Sequence, residues 1–300
     1  MDLGIFIDVV LPVILIFAGG YVLQWFKLLD VKSVSAVCIY LFVPCLVFTN
    51  IYEARFDEGF LMIILFAGVL FLALISVNKL CTKLFKLGPS TESALILSTA
   101  FMNAGNFGVP IMLFSFGESI LPYAVFFMVV QNVIMNTAGV YFASRSGTGA
   151  GMGIKSIFRL PAIYAVVAAL LFKSASITIP GQFYQSLELV GQGAIPLLMI
   201  VLGMQLANIR TFRLNWRMIG LGSLIRLGIS PVIALLLIQV FRLDPMISML
   251  FIVIASMPSA ATTTLLAVEY DAEPELVSSI TLATTLLSIV TLSILLTVGI

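Results

Sequence analysis

The sequence predicts an all-α, polytopic membrane protein of ten transmembrane helices, arranged as two inverted repeats of five. Three observations lead to this fold class: the composition is too apolar for a soluble domain, apolar runs of spanning length recur along the chain, and prolines repeat at half its length. Hydrophobic residues make up 61% of the 300 positions and charged residues only 10%, against roughly 25% charged in an ordinary soluble domain. The lipid bilayer is therefore the expected surroundings.

The apolar runs set the number of spans. A helix that crosses the ~30 Å hydrocarbon layer needs roughly 20 apolar residues, and a spanning backbone must satisfy its own hydrogen bonds. The runs do not alternate in polarity as the strands of a membrane barrel do, so helices are expected. The predicted spans are residues 3–26, 33–52, 59–80, 93–115, 120–144, 157–174, 186–206, 216–241, 247–268 and 275–298.

The basic residues orient these spans, because Lys and Arg concentrate in cytoplasmic loops. Alternate loops place eleven basic residues on one side: Lys27, Lys32, Lys79, Lys83, Lys86, Arg145, Lys155, Arg159, Arg210, Arg213 and Arg217. The other side receives Arg55, Lys173 and Arg242. We therefore expect a multi-pass protein of the plasma (inner) membrane with both termini on the non-cytoplasmic side.

The prolines reveal an internal repeat. Four pairs recur in order at separations of 148 to 152 residues: Pro12 with Pro161, Pro44 with Pro196, Pro110 with Pro258, and Pro122 with Pro274. Pro89 and Pro245 add a weaker fifth pair. The chain divides into a first five-helix repeat at residues 1–146, a short cytoplasmic linker at 147–156 and a second repeat at 157–300. Because five is odd, the second repeat must be inverted, an architecture typical of secondary transporters.

Two spans carry helix-breaking residues at matching positions. The fourth contains "FMNAGNFGVPI", and the ninth contains "IASMPSAATTT". Proline and glycine interrupt helices, and each interruption creates a half-helix whose N-terminus carries unpaired N–H groups and about half a positive charge. Two such ends that face each other favour an anion. The predicted substrate-binding residues are Asn103, Gly105, Asn106, Gly108, Pro110, Pro258, Ser259, Thr262, Asn132 and Arg226.

Several of these residues have an alternative interpretation. Kinks from proline and glycine also serve helix packing alone, and Asn103 and Asn106 could bond neighbouring helices. For Arg226 a structural partner is as well supported as a ligand contact. The polar residues of the fifth span could line the same cavity or join helices: Gln131, Asn132 and Asn136.

The sequence also excludes some classes of function. Scattered basic residues and a net charge of +1 give no surface for nucleic acid. Without histidine, and with three cysteines at unrelated spacings, no cofactor or metal site is expected, and no nucleophile suggests an enzyme. Asp8 and Glu188 are the acidic candidates for proton coupling, and both are expected at the membrane interface. H+ and Na+ remain open as coupling ions, because Na+ can bind unwound carbonyls.

The runs "NAGNFGVPI" at 103–111 and "MPSAATTT" at 257–264, with ten spans and an outside N-terminus, resemble the auxin efflux carrier family. This family includes plant PIN-formed auxin exporters and bacterial permeases assigned to malate and malonate. The resemblance implies a fold like that of bile-acid sodium symporters, with crossed helices meeting at Pro110 and Pro258. It assigns substrate contact to Asn103, Asn106 and Ser259. Plant exporters have an asparagine near the ninth-span break, where this chain has serine and threonine.

The resemblance also implies an arrangement of the spans. Spans one, two, six and seven would form a scaffold and the interface of a homodimer, and the remaining spans would move as an elevator. The sequence therefore predicts a secondary or facilitative transporter of a small organic anion, a carboxylate, that works by alternating access. The alternative is a cation–proton antiporter of related fold, which would need an acidic residue at the membrane midplane.

Overall fold

The computed structural model describes residues 4, 6–145, 158–209 and 215–298, and these ranges form a helical bundle. The predicted linker at 147–156 lies outside the described residues. The helices are α1 (Phe6–Lys27), α2 (Val31–Glu53), α3 (Glu58–Phe85), α4 (Pro89–Thr99), α5 (Ala104–Phe116), α6 (Glu118–Arg145), α7 (Pro161–Ser174), α8 (Gly181–Ala207), α9 (Trp216–Phe241), α10 (Pro245–Ala255), α11 (Thr262–Glu269) and α12 (Pro274–Val298).

Seven helices in the described part of the chain are long and apolar enough to cross a membrane: α1, α2, α3, α6, α8, α9 and α12. Three more are apolar but shorter, namely α5, α7 and α10. Many large apolar side chains are exposed on the outside of the bundle, among them Leu61 at 63% and Phe183 at 70%. Such a surface suits hydrocarbon rather than water, so the chain is an all-helical membrane protein.

Wide turns precede several prolines inside the long helices. Each of four π-helical segments ends two residues before a proline: Phe6–Val10 before Pro12, Cys38–Phe42 before Pro44, Ala104–Gly108 before Pro110, and Leu224–Ile229 before Pro231. A proline ring clashes with the carbonyl four residues earlier and removes one N–H donor. The helix continues past each proline because the preceding turn widens to accommodate the ring.

The "KLGP" and "RLDP" sequences occupy equivalent places in the two halves. Lys86 and Arg242 each adopt the left-handed conformation that ends a long helix, with φ of 52° and 50°. Pro89 and Pro245 then begin helices of 11 residues each, α4 and α10. Proline suits the first position of a helix because its missing N–H has no intrahelical acceptor there. Pro89 and Pro245, the weaker fifth pair of the proline repeat, thus begin equivalent helices in the two halves.

One group of helices, α1, α2, α7 and α8, packs closely through glycines. A Cβ atom on Gly20 would lie 2.2 Å from the carbonyl oxygen of Ile200, and one on Gly203 would lie 2.0 Å from that of Phe17. Only glycine allows the backbones of α1 and α8 to approach so closely. Gly191 lies in the same way against the backbone of α2, and α7 packs along α2.

The other helices form a second group around α4 and α10. α3 packs against α4, α6 and α9, while α12 contacts α4, α9 and α11. Phe66 of α3 and Phe251 of α10 are fully buried and stack with ring centroids 3.9 Å apart. Aromatic pairs of this kind contribute about 0.5–1.5 kcal/mol beyond the area that they bury. This stack holds α10 against α3 in the interior of the second group.

Candidate functional site

Two interrupted segments cross inside the bundle. Residues 100–103 separate α4 from α5, and residues 256–261 separate α10 from α11. The crossing therefore brings together two helix C-termini, those of α4 and α10, and two helix N-termini, those of α5 and α11. The predicted breaks in the fourth and ninth spans are present at this crossing.

The two segments pair through their backbones. Met102 lies opposite Ser259 in an antiparallel arrangement. The hydrogen bonds on either side, each of 2.9 Å, run from the N–H of Asn103 to the carbonyl of Pro258 and from the N–H of Ala260 to the carbonyl of Phe101. Backbone groups that leave a helix inside a membrane need such partners. The pairing replaces part of the helical bonding that the breaks remove.

The expectation that the crossing lies at Pro110 is wrong. Pro258 lies within its break, but Pro110 lies inside α5, after the wide turn Ala104–Gly108. The N–H of Gly108 donates to the carbonyl of Asn103, five residues earlier, so the turn widens and the helix continues through the proline. The break instead lies at residues 100–103 and ends at Asn103, where φ is −79° and ψ is 66°.

Asn103 places an unsatisfied donor at the crossing. Its side chain is buried, with 5% exposed, and its Nδ2 atom has no acceptor among the described residues. A buried donor without a partner costs about 1–3 kcal/mol. Asn103 also precedes the first residue of α5, where the first N–H groups of a helix lack intrahelical acceptors. The amide is therefore available to an acceptor that the protein does not supply.

The turn after Asn103 is partly open. Gly105 and Asn106 are partly exposed, whereas Gly108 and Pro110 are buried. A Cβ atom on Gly105 would lie 3.1 Å from the Sδ atom of Met128 in α6. The glycine therefore lets α6 approach the N-terminal turn of α5.

Gln131 lies one turn beyond Met128 on α6 and repeats the arrangement of Asn103. Its side chain is 3% exposed, and its Nε2 atom has no acceptor among the residues that the structure describes. Helix α6 packs against the Ala104–Gly108 turn. The sequence left Gln131 open between a cavity residue and an interhelical contact. Its unsatisfied donor favours the first interpretation.

Ser259 is fully buried and bonded within the protein. Its hydroxyl donates to the carbonyl of Ser98 in α4, and its N–H donates to the Oγ1 atom of Thr284 in α12 at 3.2 Å. The hydroxyl of Thr284 lies 3.1 Å from that of Ser259. In this conformation Ser259 therefore joins the second break to α4 and α12.

Thr262 and Asn132 are two further predicted site residues, on α11 and α6. Thr262 begins α11, is partly exposed, and directs its hydroxyl to the Sδ atom of Met135 in α6 at 3.2 Å. Asn132 is partly exposed, and its carbonyl accepts the side-chain amide of Asn136 at 2.9 Å. The structure thus brings Thr262 against α6 at Met135, three residues after Asn132.

Arg226 lies on the other side of the crossing, at the helix C-termini. It is fully buried, and its Nη1 atom donates to the carbonyl of Thr99, the last residue of α4, at 2.7 Å. Its Nη2 atom donates to the carbonyl of Ala255, the last residue of α10, and to the hydroxyl of Ser230. These contacts support the structural interpretation of Arg226, while its buried Nε atom has no acceptor among the described residues.

Residues that the sequence did not single out complete this region: Ser98, Thr99, Ser230 and Thr284. Ser98 and Thr99 precede the first break, and Thr284 belongs to the polar run "SSITLATTLLS" of the last span. Hydroxyl groups in a membrane helix often bond a neighbouring helix. That run was therefore a usable signal, whereas the carbonyl groups of Thr99 and Ala255 have no signature in the sequence.

A cavity of about 1000 Å³ opens beside the second break. Its walls come from the start of α2, the end of α8, α11 and the start of α12, including Ser35, Gln205, Thr264 and Ser278. Its lining includes Ala261, the last residue of the second break, next to Thr262. None of the predicted substrate-binding residues lines this cavity. It instead leads to the N-terminus of α11.

The charges of the described residues are distributed unevenly. Arg226 is the only buried charged residue among them. Asp8 and Glu188 are exposed. No group of His, Cys, Asp or Glu in the described part of the chain could hold a metal ion. The crossing therefore offers donors and one cation, with no acidic side chain buried beside them.

Comparison with known proteins shows the family of the chain. The sequence model of a family described as membrane transport protein matches the chain twice, at residues 5–152 and 149–296. An uncharacterized transporter of Methanocaldococcus jannaschii is 27% identical over 299 residues, covering 96% of both chains. Another, of Methanothermobacter thermautotrophicus, is 27% identical over 290 residues, covering 95% of both. The chain therefore belongs to the membrane transport protein family, which confirms its resemblance to the auxin efflux carriers.

Proposed function

We propose that the chain is a secondary or facilitative carrier of a small organic anion, a carboxylate, which binds at the crossing and moves by alternating access. The observation that carries this proposal is the buried Nδ2 donor of Asn103, which has no acceptor among the described residues. An orphan donor at a helix N-terminus inside a membrane calls for an acceptor, and a carboxylate is a strong one.

The neighbouring groups favour the same ligand. Gln131 adds a second orphan donor, and the N-termini of α5 and α11 add N–H groups and partial positive charge. A cation–proton antiporter would need buried acceptors or an acidic residue at this depth. The only buried charge in the described part of the chain is the cation Arg226, so the antiporter alternative is less well supported.

The proposal includes the finer architecture. Ten spans result if α4 with α5, and α10 with α11, each cross the membrane once, and the double match of the family model supports two repeats. The equivalent starts of α4 and α10 add support. An odd number of spans in each repeat, at 1–146 and 157–300, makes the repeats inverted, with both termini outside and the linker at 147–156 in the cytoplasm.

The two helix groups suggest how the carrier moves. The group of α1, α2, α7 and α8 corresponds to the scaffold that the resemblance implies, with a homodimer through the same helices. The 1000 Å³ cavity lies between this scaffold and α11 with α12. One end of the cavity lies near residues 29–32 and 205–209. The distribution of basic residues predicts that these loops lie on the cytoplasmic side. We interpret the conformation as open to the cytoplasm, with an elevator movement of the second group closing it.

Uptake into proteoliposomes tests the proposal. Purified protein is assayed with radiolabelled malate, malonate and succinate, with and without gradients of H+ and Na+. We expect saturable uptake of at least one of these anions, and a clear reduction in Asn103→Ala/Ser259→Ala. Gly68→Ala is the matched control, because a Cβ atom there meets nothing within 4 Å. Uptake unchanged in the double variant contradicts the site. Cation-dependent pH changes without anion transport would support the antiporter.

A further inference from the structure

Arg226 contacts the ends of two half-helices at once. Its guanidinium group bonds the last carbonyl of α4 through Nη1 and the last carbonyl of α10 through Nη2. The residues that it joins, Thr99 and Ala255, are 127 and 29 positions away in the sequence. Ser230, one turn further along α9, donates to the carbonyl of Ala255 at 2.8 Å and accepts from Arg226. Helix α9 thus holds the two C-termini together.

The charge of Arg226 has no acidic counterpart. The one ion pair found within the described ranges joins Arg145 and Glu92, and no acidic residue among them is buried. A helix C-terminus carries about half a negative charge and unsatisfied carbonyl groups. Two such ends would repel each other in a medium of low dielectric constant. The guanidinium fork removes that repulsion by bonding both ends.

Arg226 also changes the net charge of the crossing. Two N-termini and two C-termini contribute about half an elementary charge each, positive and negative, so their charges cancel. Arg226 adds one full positive charge and lies at the negative ends. What remains is the positive contribution of the α5 and α11 N-termini, on the side where Asn103 lies.

We propose that Arg226 is a positioning residue that fixes the crossing of the half-helices and makes the site selective for anions without touching the substrate. Only the second part of this inference, the selectivity for anions, rests on the proposed function. The equivalent position in the first repeat, 156 residues earlier as for Pro89 and Pro245, is the buried Leu70. One arginine therefore serves both breaks.

The first part is tested without any ligand. Met102→Cys/Ser259→Cys, in a chain with Cys38, Cys45 and Cys81 replaced by Ala, should form a disulfide, because a non-hydrogen-bonded antiparallel pair has Cα atoms about 4.5 Å apart. Adding Arg226→Leu should slow cross-linking at least about fivefold, since the two ends then repel, and Arg226→Lys should restore part of the rate. Equal rates in the parent and in Arg226→Leu contradict the positioning role. A parent that does not cross-link contradicts the crossing itself.

The second part is tested with malonate and its neutral analogue malonamide, by thermal shift of the purified protein. Arg226→Gln should weaken malonate binding at least about tenfold, because a buried charge attracts an anionic ligand through space, and should leave malonamide unchanged. Arg226→Lys should keep the preference for malonate, which a purely structural role of the fork would not predict. Arg145→Gln, whose side chain is 46% exposed, is the control.

The outcomes separate this inference from the proposed function. If Arg226→Gln discriminates between malonate and malonamide as the parent does, the electrostatic part is overturned. If the parent binds neither compound but Arg226→Leu still loses cross-linking, the positioning role stands and the proposed substrate class is contradicted for these probes.

Discussion

The backbone N–H of Asn103 donates a 2.9 Å hydrogen bond to the carbonyl of Pro258. Proline has no N–H of its own, so this carbonyl is the group through which Pro258 can join the other break by a backbone bond. The bond fixes the start of α5 beside the second break while the side-chain amide of Asn103 stays without an acceptor. Asn103 thus both joins the two breaks through its backbone and supplies the unpartnered side-chain donor of the candidate site.

Asn103→Leu should make the ligand-free protein more stable and less active. A buried donor without a partner costs about 1–3 kcal/mol of stability. The change removes that donor and keeps a side chain of similar size. We expect a higher melting temperature together with loss of anion uptake, measured by thermal unfolding and in proteoliposomes. Asn50→Leu is the control, because the amide of Asn50 already donates to Leu46 at 2.9 Å. A less stable Asn103→Leu would indicate that the amide has an internal partner.

Gly20→Ala and Gly19→Ala should have opposite effects on stability. A Cβ atom on Gly20 would lie 2.2 Å from the carbonyl oxygen of Ile200, whereas one on Gly19 meets nothing within 4 Å. Overpacking of this kind typically costs about 1–3 kcal/mol, and alanine in an open helical position gains about 0.5–1 kcal/mol over glycine. Thermal unfolding in detergent measures both. Equal melting temperatures would contradict the close approach of α1 and α8.

Two engineered cysteines test the orientation of the chain. Gly88→Cys lies between α3 and α4, on the predicted cytoplasmic side, and Thr178→Cys lies between α7 and α8, on the predicted outer side. Both positions are exposed. In a chain without its native cysteines, a membrane-impermeant maleimide applied to intact cells should label Thr178→Cys alone. Labelling at Gly88→Cys from outside would show that the charge distribution was misread.

The helix cap at Asp30 should make stability depend on pH. Asp30 accepts hydrogen bonds from the hydroxyl of Ser33 at 2.6 Å and from the N–H of Lys32 at 3.2 Å. The bond from Ser33 is the main reason why the pKa of Asp30 lies below its usual value. A lowered pKa stabilises the fold above the unfolded pKa, about 4, and this contribution is lost as the pH falls through the folded pKa.

We therefore expect Asp30→Ala to be less stable than the parent above about pH 5, with a difference that shrinks below about pH 4. Unfolding of the purified protein across this range measures it. Asp30→Asn keeps a capping side chain that does not titrate, so its stability relative to Asp30→Ala should not vary with pH. A constant difference between the parent and Asp30→Ala would contradict the capping role.

Much of this molecule could be predicted from its sequence, because a bilayer imposes few solutions. Long apolar runs had to be helices, and the breaks were visible as glycine, asparagine and proline in apolar surroundings. Pro110 was misplaced for a physical reason: a widened turn absorbs a proline within a helix, so the residue type alone does not locate a break. The break instead ends at Asn103, seven positions earlier.

The role of Arg226 could not be predicted, because it depends on proximity in space. Its partners are backbone carbonyls at Thr99 and Ala255, and every residue has a carbonyl. Only the fold determines which two helix ends meet at the same arginine. Ser259 illustrates the same limit, since its bonds to Ser98 and Thr284 come from two other helices.

The two interruptions differ in length, residues 100–103 in one half and residues 256–261 in the other. Duplicated halves of equal design would meet at their common axis with two equivalent faces. The second segment is two residues longer, so the two halves contribute different lengths of backbone to the crossing. A substrate held between them would therefore meet unlike groups at its two ends, whether or not those ends are identical.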